Sequence, residues 1–515
     1  MKEIARSLSF SGRLARIKSR IVSSVIRSDI EQLRTEADGV VSLRFGRYLH
    51  RPAPLRENER IGKPNILEFG CFEQFAHMRR HEGVFIDFRT IRVVGIESID
   101  YFLETVSTER RVHRQSESFR YSGMMLYSPL TPFGSEVPML PRERVIATLR
   151  HEESDIVPMG ENHVHPGLVE KVLGRKILYS RGFDELNALW DGRREDIVKD
   201  SINVLTELPK ALGWDYVRVP ASPKKKEYTH PKMTGPNSWI DETGREFHFN
   251  PEVGFEVGQS YNTDMTVDEL PDENEAFRVH DSELDGIRGV IANMKKTHFV
   301  IARLPLDGTF PYKQTIGMEE LLVRMITDPD FVDKAVKVYV NRSIAYINAF
   351  LDAGADAIMT TDDYADNRGL MMGKDRFLRY ILPGIERQAD AVHKKGGYFI
   401  KHTDGNVWDA LDGLVGVGID GWHGIQPSVG MDFKLLKEKY GKKLCFFGGV
   451  NCETLISGSV KDVEREAKYA IKYAAPGGGL VLTSGNGLEN GVPFENYEAM
   501  MRVRKEFGRF PISIH

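Results

Sequence analysis

The chain has 515 residues, of which 41% are hydrophobic and 28% are charged, the composition of a large globular protein. Its net charge of −4 gives no electrostatic reason to expect binding to nucleic acid or to an anionic membrane surface. No apolar run is long enough to span a bilayer, and the 3 cysteines form neither a CxxC pair nor a disulfide framework, which predicts a cytoplasmic protein.

Composition changes near residue 139. Residues 1–138 contain 19 Arg and 3 Lys against 17 acidic residues, a net charge of +5, whereas residues 139–515 carry −9. The junction, Ser128–Pro138, has the Pro, Gly and Ser content of a linker. We therefore predict a boundary there, with residues 139–515 as one domain. Residues 1–138 are either an appended domain or a mispredicted upstream start.

Eight short apolar segments, most of them rich in Val, Ile, Phe or Tyr, recur through residues 139–515 and suit buried parallel strands. They are Ile156–Gly160, Asp215–Pro220, Phe299–Pro305, Asp356–Thr361, Gly396–Lys401, Ile419–Ile425, Lys443–Val450 and Gly479–Thr483. Segments long enough for a crossover helix separate them. Eight alternating strands and helices predict an α/β fold of the (β/α)8 TIM-barrel class.

Polar side chains follow the predicted strands, and a TIM barrel places its chemistry at the carboxyl ends of its strands. In strand order they are Glu161, Asn162 and His163; Asp307; Asp362 and Asp363; His402, Asp404 and Asn406; His423 and Gln426; Asn451; and Ser484 and Asn486. Carboxylate, imidazole and amide groups from many strands would meet at one mouth. This convergence predicts an enzyme active site.

The sequence His402-Thr403-Asp404 is the most informative part of this set. Residues two apart on a strand share a face, so both polar side chains are predicted to point into the mouth. The alternative is that Asp404 caps the following helix, with Gly405 forming the turn.

Structural roles remain open for the other candidates. Glu161 is equally well explained as a solvated loop acid, and Asp307 as the first residue of an Asp-Gly turn. Asn406 and Asn486 stand beside glycines, where left-handed turn geometry is an alternative to donating an amide hydrogen to substrate. The predicted substrate-binding residues are Asp307, Asn406, Gln426, Asn451 and Asn486.

Segments spread through residues 139–515 resemble the uroporphyrinogen decarboxylase superfamily. They are Arg142–Arg150 with Asp155–Pro158, Leu212–Tyr216, Gly354–Ala357, Lys401–Asn406, Gly430–Asp432 leading to Leu436–Gly441, Gly448–Asn451, Ala475–Gly479 and Pro493–Asn496. The resemblance implies a TIM barrel. It also implies either uroporphyrinogen decarboxylation or methyl transfer between a corrinoid protein and a thiol, amine or methyl ether. Family members place an acidic residue at the fourth strand tip, which favours Asp363 over Asp362 as the residue that enters the site.

Two departures from the family patterns guide the choice between these activities. True decarboxylases carry a paired-arginine segment after the first strand, which holds the substrate's carboxylates, whereas Met159–Pro166 contains no arginine. Corrinoid methyltransferases carry a His-x-Cys pair and a later Cys that bind zinc, and here Asp404 and Asn486 replace the cysteines. A metal site, if there is one, would then be a harder set of His402, Asp404 and Glu161.

We accordingly predict an enzyme that acts on a small organic molecule and is most similar to the methyl-transferring branch, with His402, Asp404, Asp363 and Glu161 as catalytic residues. Its implied cofactors are a divalent metal such as zinc and a corrinoid on a separate carrier protein that docks at the mouth. A cofactor-free decarboxylase of uroporphyrinogen or another substrate is the second hypothesis. A non-catalytic binding barrel is the third. Neighbouring corrinoid-carrier genes, metal content and arginines in the pocket would separate them.

Overall fold

The computed structural model describes residues 138–250 and 255–514, together with three short strands in the N-terminal part of the chain. The chain separates into two compact units, residues 1–133 and 134–515. In the first unit, strands β1 (Val41–Arg44), β2 (Phe85–Ile86) and β3 (Thr90–Val93) form an antiparallel sheet in the order β1-β3-β2. The nature of residues 1–138 and the boundary at residue 138 stay predictions.

The second unit alternates strands and helices. Its strands are β4 (Tyr216–Pro220), β5 (Lys232–Gly235), β6 (Ser238–Ile240), β7 (Glu246–Asn250), β8 (Phe255–Gln259), β9 (Phe299–Arg303), β10 (Ala357–Thr360), β11 (Tyr398–His402), β12 (Gly421–His423), β13 (Cys445–Val450) and β14 (Leu480–Ser484). Its helices are α1 (Pro141–Leu149), α2 (Pro166–Leu173), α3 (Phe183–Trp190), α4 (Arg194–Leu212), α5 (Asp285–Met294), α6 (Met318–Thr327), α7 (Pro329–Asp352), α8 (Lys374–Arg376), α9 (Leu382–Lys394), α10 (Trp408–Gly416), α11 (Phe433–Tyr440), α12 (Cys452–Ser457), α13 (Val460–Ala474) and α14 (Phe494–Phe507). Along the described residues, we find no helix that is both long and apolar enough to cross a bilayer.

Seven of these strands pair in parallel in the order β4-β9-β10-β11-β12-β13-β14, and each overlaps a strand predicted from the sequence. The remaining predicted segment, Ile156–Gly160, closes the sheet. The Pro158 carbonyl accepts the N–H of Leu482 at 2.8 Å, and the Met159 carbonyl accepts the N–H of Asp215 at 2.7 Å. Pro158 has no N–H to donate, which limits this segment to isolated bridges. The predicted TIM barrel is thereby confirmed.

Asp215 fixes this closure. Its side chain is fully buried, and Oδ2 accepts the N–H of Met159 at 2.8 Å. Arg144 of α1 donates to Oδ1 at 2.9 Å, and Arg504 of α14 donates to Oδ2 at 2.5 Å. One buried carboxylate therefore joins the first strand segment, the first helix and the last helix of the barrel.

The barrel interior is packed with apolar side chains at the amino-terminal ends of the strands. Val145 and Leu149 of α1 close this end against Tyr216 and Phe299, the first residues of β4 and β9. A second apolar core lies between the strands and the surrounding helices. The amino-terminal end is thus sealed, which leaves the carboxyl-terminal end for chemistry.

An antiparallel sheet of β5 to β8 is inserted between β4 and α5, and the sequence analysis did not predict it. Its Trp239 ring lies 5.4 Å from the ring of Trp190 and 6.0 Å from that of Phe183, both on α3. In the sequence, this hairpin is indicated by a polar turn, Asp241–Arg245, between two aromatic segments that alternate as strands do.

Candidate functional site

The polar mouth begins one layer above the apolar interior of the barrel. Side chains alternate along a strand, so the residues two positions beyond the core residues Tyr216, Ile301 and Ile400 face the same interior. Those residues are Arg218, in the middle of β4, and Arg303 and His402, the last residues of β9 and β11.

The mouth brings one histidine, His402, together with two acids, Asp363 and Asp404, and we refer to these three residues as the acidic trio. His402 Nε2 lies 3.6 Å from Asp363 Oδ1 and 3.8 Å from Asp404 Oδ2. One ligand atom of each residue lies within 4.8 Å of the other two. The Asp404 N–H donates to Asp363 Oδ1 at 3.1 Å and so ties the loop after β11 to the loop after β10. One imidazole and two carboxyl groups form a candidate centre for a divalent metal.

The His402 ring is buried and neutral. Burial, with the positive charges of Lys401, Arg218 and Arg303, lowers the pKa of His402 to about 3. Its Nδ1 lies 2.7 Å from Nδ1 of His423 on the neighbouring strand, so one ring donates a proton to the other. A His402 ring protonated at Nδ1 presents the Nε2 lone pair to the two carboxyl groups.

Asp404 is held by Asn486 rather than by helix α10. Asn486 Nδ2 donates to Asp404 Oδ2 at 2.9 Å. The N-cap of α10 is Val407, which makes no side-chain cap, and Asn406 Oδ1 accepts the N–H of Trp408 at 3.4 Å, so Asp404 does not take the capping role that the sequence left open for it. Burial, with the neighbouring charge of Asp363, raises the pKa of Asp404 to about 8. Two predicted site residues, in the loops after β11 and β14, therefore contact each other directly.

Glu161 is hydrogen-bonded to β14 and does not join the acidic trio. The Ser484 N–H donates to Oε1 at 3.1 Å, and the Ser484 hydroxyl donates to Oε2 at 2.6 Å. Only 3% of Glu161 is exposed, and burial raises its pKa to about 8. The predicted metal set of His402, Asp404 and Glu161 is therefore not the set that the structure assembles. Asp363 takes the third position because it follows β10, the strand that directly adjoins β11.

Asp307, predicted to bind substrate, is fully buried in an ion pair with Lys401. Its Oδ1 accepts the N–H of Thr309 at 3.2 Å and the Thr309 hydroxyl at 2.5 Å, as a turn-forming aspartate does. The Asp362 N–H donates to Oδ2 at 3.3 Å. Asp307 thus organises the loops after β9 and β10, and its carboxylate has no surface left for substrate.

Asn451 and Gln426 lie at the neighbouring strand ends. Asn451 is buried, its Nδ2 donates to Glu466 Oε2 at 3.2 Å, and its Oδ1 accepts the N–H of Ser428 at 3.4 Å. These contacts give Asn451 a structural role in the loop after β13. Gln426 is partly buried and precedes a single helical turn, Pro427–Val429.

Sequence reasoning missed the two arginines of the mouth. It found carboxylate, imidazole and amide groups after the predicted strands, yet Arg218 lies within β4 and Arg303 ends β9. Both guanidinium charges also reach His163, whose pKa burial lowers to about 4. The signal was present in the sequences Tyr216–Pro220 and Phe299–Arg303, where a charged residue occupies an inward position of an apolar strand.

Comparison with known proteins supports the family resemblance. Residues 313–507 match the family model for uroporphyrinogen decarboxylase (URO-D). The methylcobamide:CoM methyltransferase MtaA of Methanosarcina barkeri is 26% identical over 193 residues, which make up 37% of this chain and 54% of that protein. The uroporphyrinogen decarboxylase of Dechloromonas aromatica is 24% identical over 183 residues, 34% of this chain and 48% of that protein. The chain thus spans about half the length of these curated relatives.

A solved structure, a methyltransferase from Methanosarcina mazei, has the same fold. It superposes with a TM-score of 0.52 at 21% sequence identity, over 72% of this chain and 99% of that chain. At this identity the likeness concerns the fold, and the two named activities of the curated relatives are almost equally distant in sequence. The resemblance found in the sequence is confirmed: residues 313–507 match the uroporphyrinogen decarboxylase (URO-D) family model, and they lie within a TIM barrel.

Proposed function

We propose that this chain is an enzyme that transfers a methyl group between a small organic molecule and the corrinoid of a partner protein. The observation that carries the proposal is the acidic trio, which puts three metal-ligand atoms within 4.8 Å of one another at the catalytic end of the barrel. A relative named as a methylcobamide:CoM methyltransferase supports the same activity. A cytoplasmic location and a corrinoid carrier protein belong to this proposal.

The donor set of the acidic trio fits a divalent cation such as zinc. His402 would provide a neutral imidazole nitrogen, and Asp363 and Asp404 would provide carboxylate oxygens. Burial raises the pKa of the nearby Cys452 thiol to about 11, so this thiol stays protonated and offers no thiolate. A metal bound there would act as a Lewis acid that activates a polar group of the substrate.

The protein's own contribution is a proton held next to the mouth. Because burial raises the pKa of Glu161 to about 8, its carboxyl group keeps its proton at neutral pH. Such a group is able to protonate a leaving oxygen or nitrogen as the methyl group departs. The apolar barrel interior below the mouth excludes water from that side.

The test combines metal analysis with a methyl-transfer assay on the full chain. Purified protein should contain one zinc per chain, and it should convert cob(I)alamin to methylcob(III)alamin with a methyl donor from a panel of ethers, amines and thioethers. His402→Ala and Asp363→Asn should lose the metal and at least 90% of the rate. Asp375→Asn, an exposed acid on α8, is the matched control and should behave like the parent. A metal-free parent, or trio variants that keep full activity, would overturn the proposal.

Decarboxylation is the second candidate, and the observation that favours it is the presence of Arg218 and Arg303 in the mouth. Two guanidinium groups suit a substrate with one carboxylate better than a tetrapyrrole with many. We therefore expect only trace formation of coproporphyrinogen from uroporphyrinogen. Robust turnover in that assay without metal would replace methyl transfer by decarboxylation. If neither reaction occurs, a binding barrel becomes the better description.

A further inference from the structure

Arg218 and Arg303 lie on the same face of two adjacent parallel strands. Arg218 pairs with Ile301 in the register of β4 and β9, and Arg303 is the next residue on the same face as Ile301. Tyr179, in the segment before α3, interacts electrostatically with both guanidinium groups. The two cations therefore form a single positive patch at the mouth, close enough to influence His402.

Neither guanidinium forms an ion pair with a carboxylate of the described residues. Arg218 Nε donates to the backbone carbonyl of Asn162, an uncharged partner. Among the described residues Asp362 is the acid that influences Arg303 electrostatically, and the two side chains form no ion pair. Burial and the charge of Arg303 lower the pKa of Arg218 to about 9. Two like charges thus share a partly buried site without an ion-paired carboxylate, an arrangement that a bound anion would relieve.

Two further donors near Arg218 have no partner among the described residues. The hydroxyl of Tyr216 and Nε2 of His423 are buried and make no hydrogen bond, and each residue lies within electrostatic range of Arg218. When His402 donates from Nδ1, the neutral His423 ring accepts at Nδ1 and carries its own proton on Nε2. Unpaired buried donors are rare in native proteins and call for a ligand that accepts hydrogen bonds.

We propose that Arg218 and Arg303 form an oxyanion subsite, which binds a carboxylate, sulfonate or phosphate group of the substrate. The substrate class is then a small anionic molecule, anchored on β4 and β9, with its reactive part directed towards the acidic trio at the ends of β10 and β11. This inference rests on the proposed function only in assigning which end of the substrate reacts. Binding of the anionic end is measurable without turnover.

The experiment measures equilibrium binding of simple probes to the full chain at constant ionic strength, set with chloride. Acetate, methanesulfonate and inorganic phosphate are titrated separately by calorimetry and by thermal shift, and acetamide is the neutral counterpart of acetate. We expect at least one anion to bind and acetamide not to bind. The arm with the strongest binding identifies the oxyanion class.

Arg218→Gln and Arg303→Gln should each weaken the best anion at least tenfold. Arg368→Gln is the matched control, since Arg368 is 92% exposed on the loop after β10, and it should bind like the parent. Arg303 makes no hydrogen bond in the described structure, so Arg303→Gln carries the test even if Arg218→Gln fails to fold. Equal binding by parent and Arg303→Gln, equal binding of acetamide, or no anion binding would overturn the subsite. Anion binding retained by a protein without metal or methyl transfer would refute the proposed function alone.

Discussion

The Asp307–Lys401 pair allows a quantitative test of the barrel interior, because both side chains are 0% exposed. Asp307→Asn would leave the Lys401 ammonium buried without its counter-charge, which costs roughly 3–5 kcal/mol. Unfolding entropy is ~2.1 cal/mol/K per residue, or ~0.8 kcal/mol/K for the roughly 380 residues of the second unit. The variant should therefore melt about 4–6 °C below the parent at pH 7.

The assay is thermal unfolding of the full chain by calorimetry, with two comparisons. Asp307→Asn with Lys401→Met removes both charges and should recover much of the loss. Asp352→Asn breaks the exposed Lys395–Asp352 pair, in which the aspartate is 66% exposed, and should cost less than about 1 kcal/mol. A melting temperature of Asp307→Asn equal to that of Asp352→Asn would refute the reasoning. A double variant no better than the single one would assign the loss to the Thr309 hydrogen bonds instead.

The sign of the pH dependence follows from the same pair. Lys401 beside Asp307 holds the pKa of that carboxyl below its usual range despite its burial. A carboxylate with a depressed pKa stabilises the fold at pH values above its unfolded pKa of about 3.9. The difference between parent and Asp307→Asn should therefore persist at neutral pH and diminish as the pH falls below about 4.

Alanine at His402 or Asp404 should abolish turnover or ligand binding with melting temperature nearly unchanged; wild-type behaviour or unfolding of both variants would place the site elsewhere. Metal affinity should increase as the pH rises towards 8, because the pKa of Asp404 is about 8 and its carboxyl must lose a proton to bind, whereas the pKa of His402 is about 3 and its ring is already neutral. Zinc titrations between pH 5 and 9 check this, and a flat profile would contradict it. The unfolding free energy of the parent should decrease as the pH rises from about 4.3 to 8, because Glu161 ionises in the unfolded chain but stays protonated in the fold, where its pKa is about 8. Thermal unfolding of Glu161→Gln over the same pH range should lack this contribution. Residues 139–515 expressed alone should fold, and limited proteolysis that cuts within 160–500 before 128–138 would count against it.

The strands were predictable from sequence because burial on both faces gives a parallel strand a continuous apolar run. Ile156–Gly160 shows the limit of that signal, since its place in the barrel depends on hydrogen bonds made by Leu482 and Asp215, which lie far away in the chain. The inserted sheet β5 to β8 escaped prediction because its strands are short and partly exposed, with polar residues at many positions.

The candidate site was predicted in outline but not in its pairings. His402, Asp404 and Asn486 followed strands, so their meeting at the mouth could be expected, and Asp363 came from the family pattern. The sequence does not reveal which acids adjoin, because that depends on strand order and on loop paths. Arg218 was missed for a different reason: a single charge within an apolar strand lowers its hydrophobic signal without changing the assignment of the strand.

The hydrogen bonds that join Asp215 to the first and last helices of the barrel have a consequence for folding during synthesis. Arg504 binds Asp215 and donates to the Val157 carbonyl at 2.7 Å, and the Gly508 carbonyl accepts the N–H of Val157 at 2.8 Å. A ribosome delivers Val157 about 350 residues before these partners, which at ~5–20 residues per second means a wait of roughly 20–70 seconds. During that interval the Pro158 carbonyl lacks its Leu482 partner, and the segment Ile156–Gly160 exposes an unpaired edge to other chains. Protection of that edge during synthesis is thus a requirement that the last helix of the barrel imposes on the first strand.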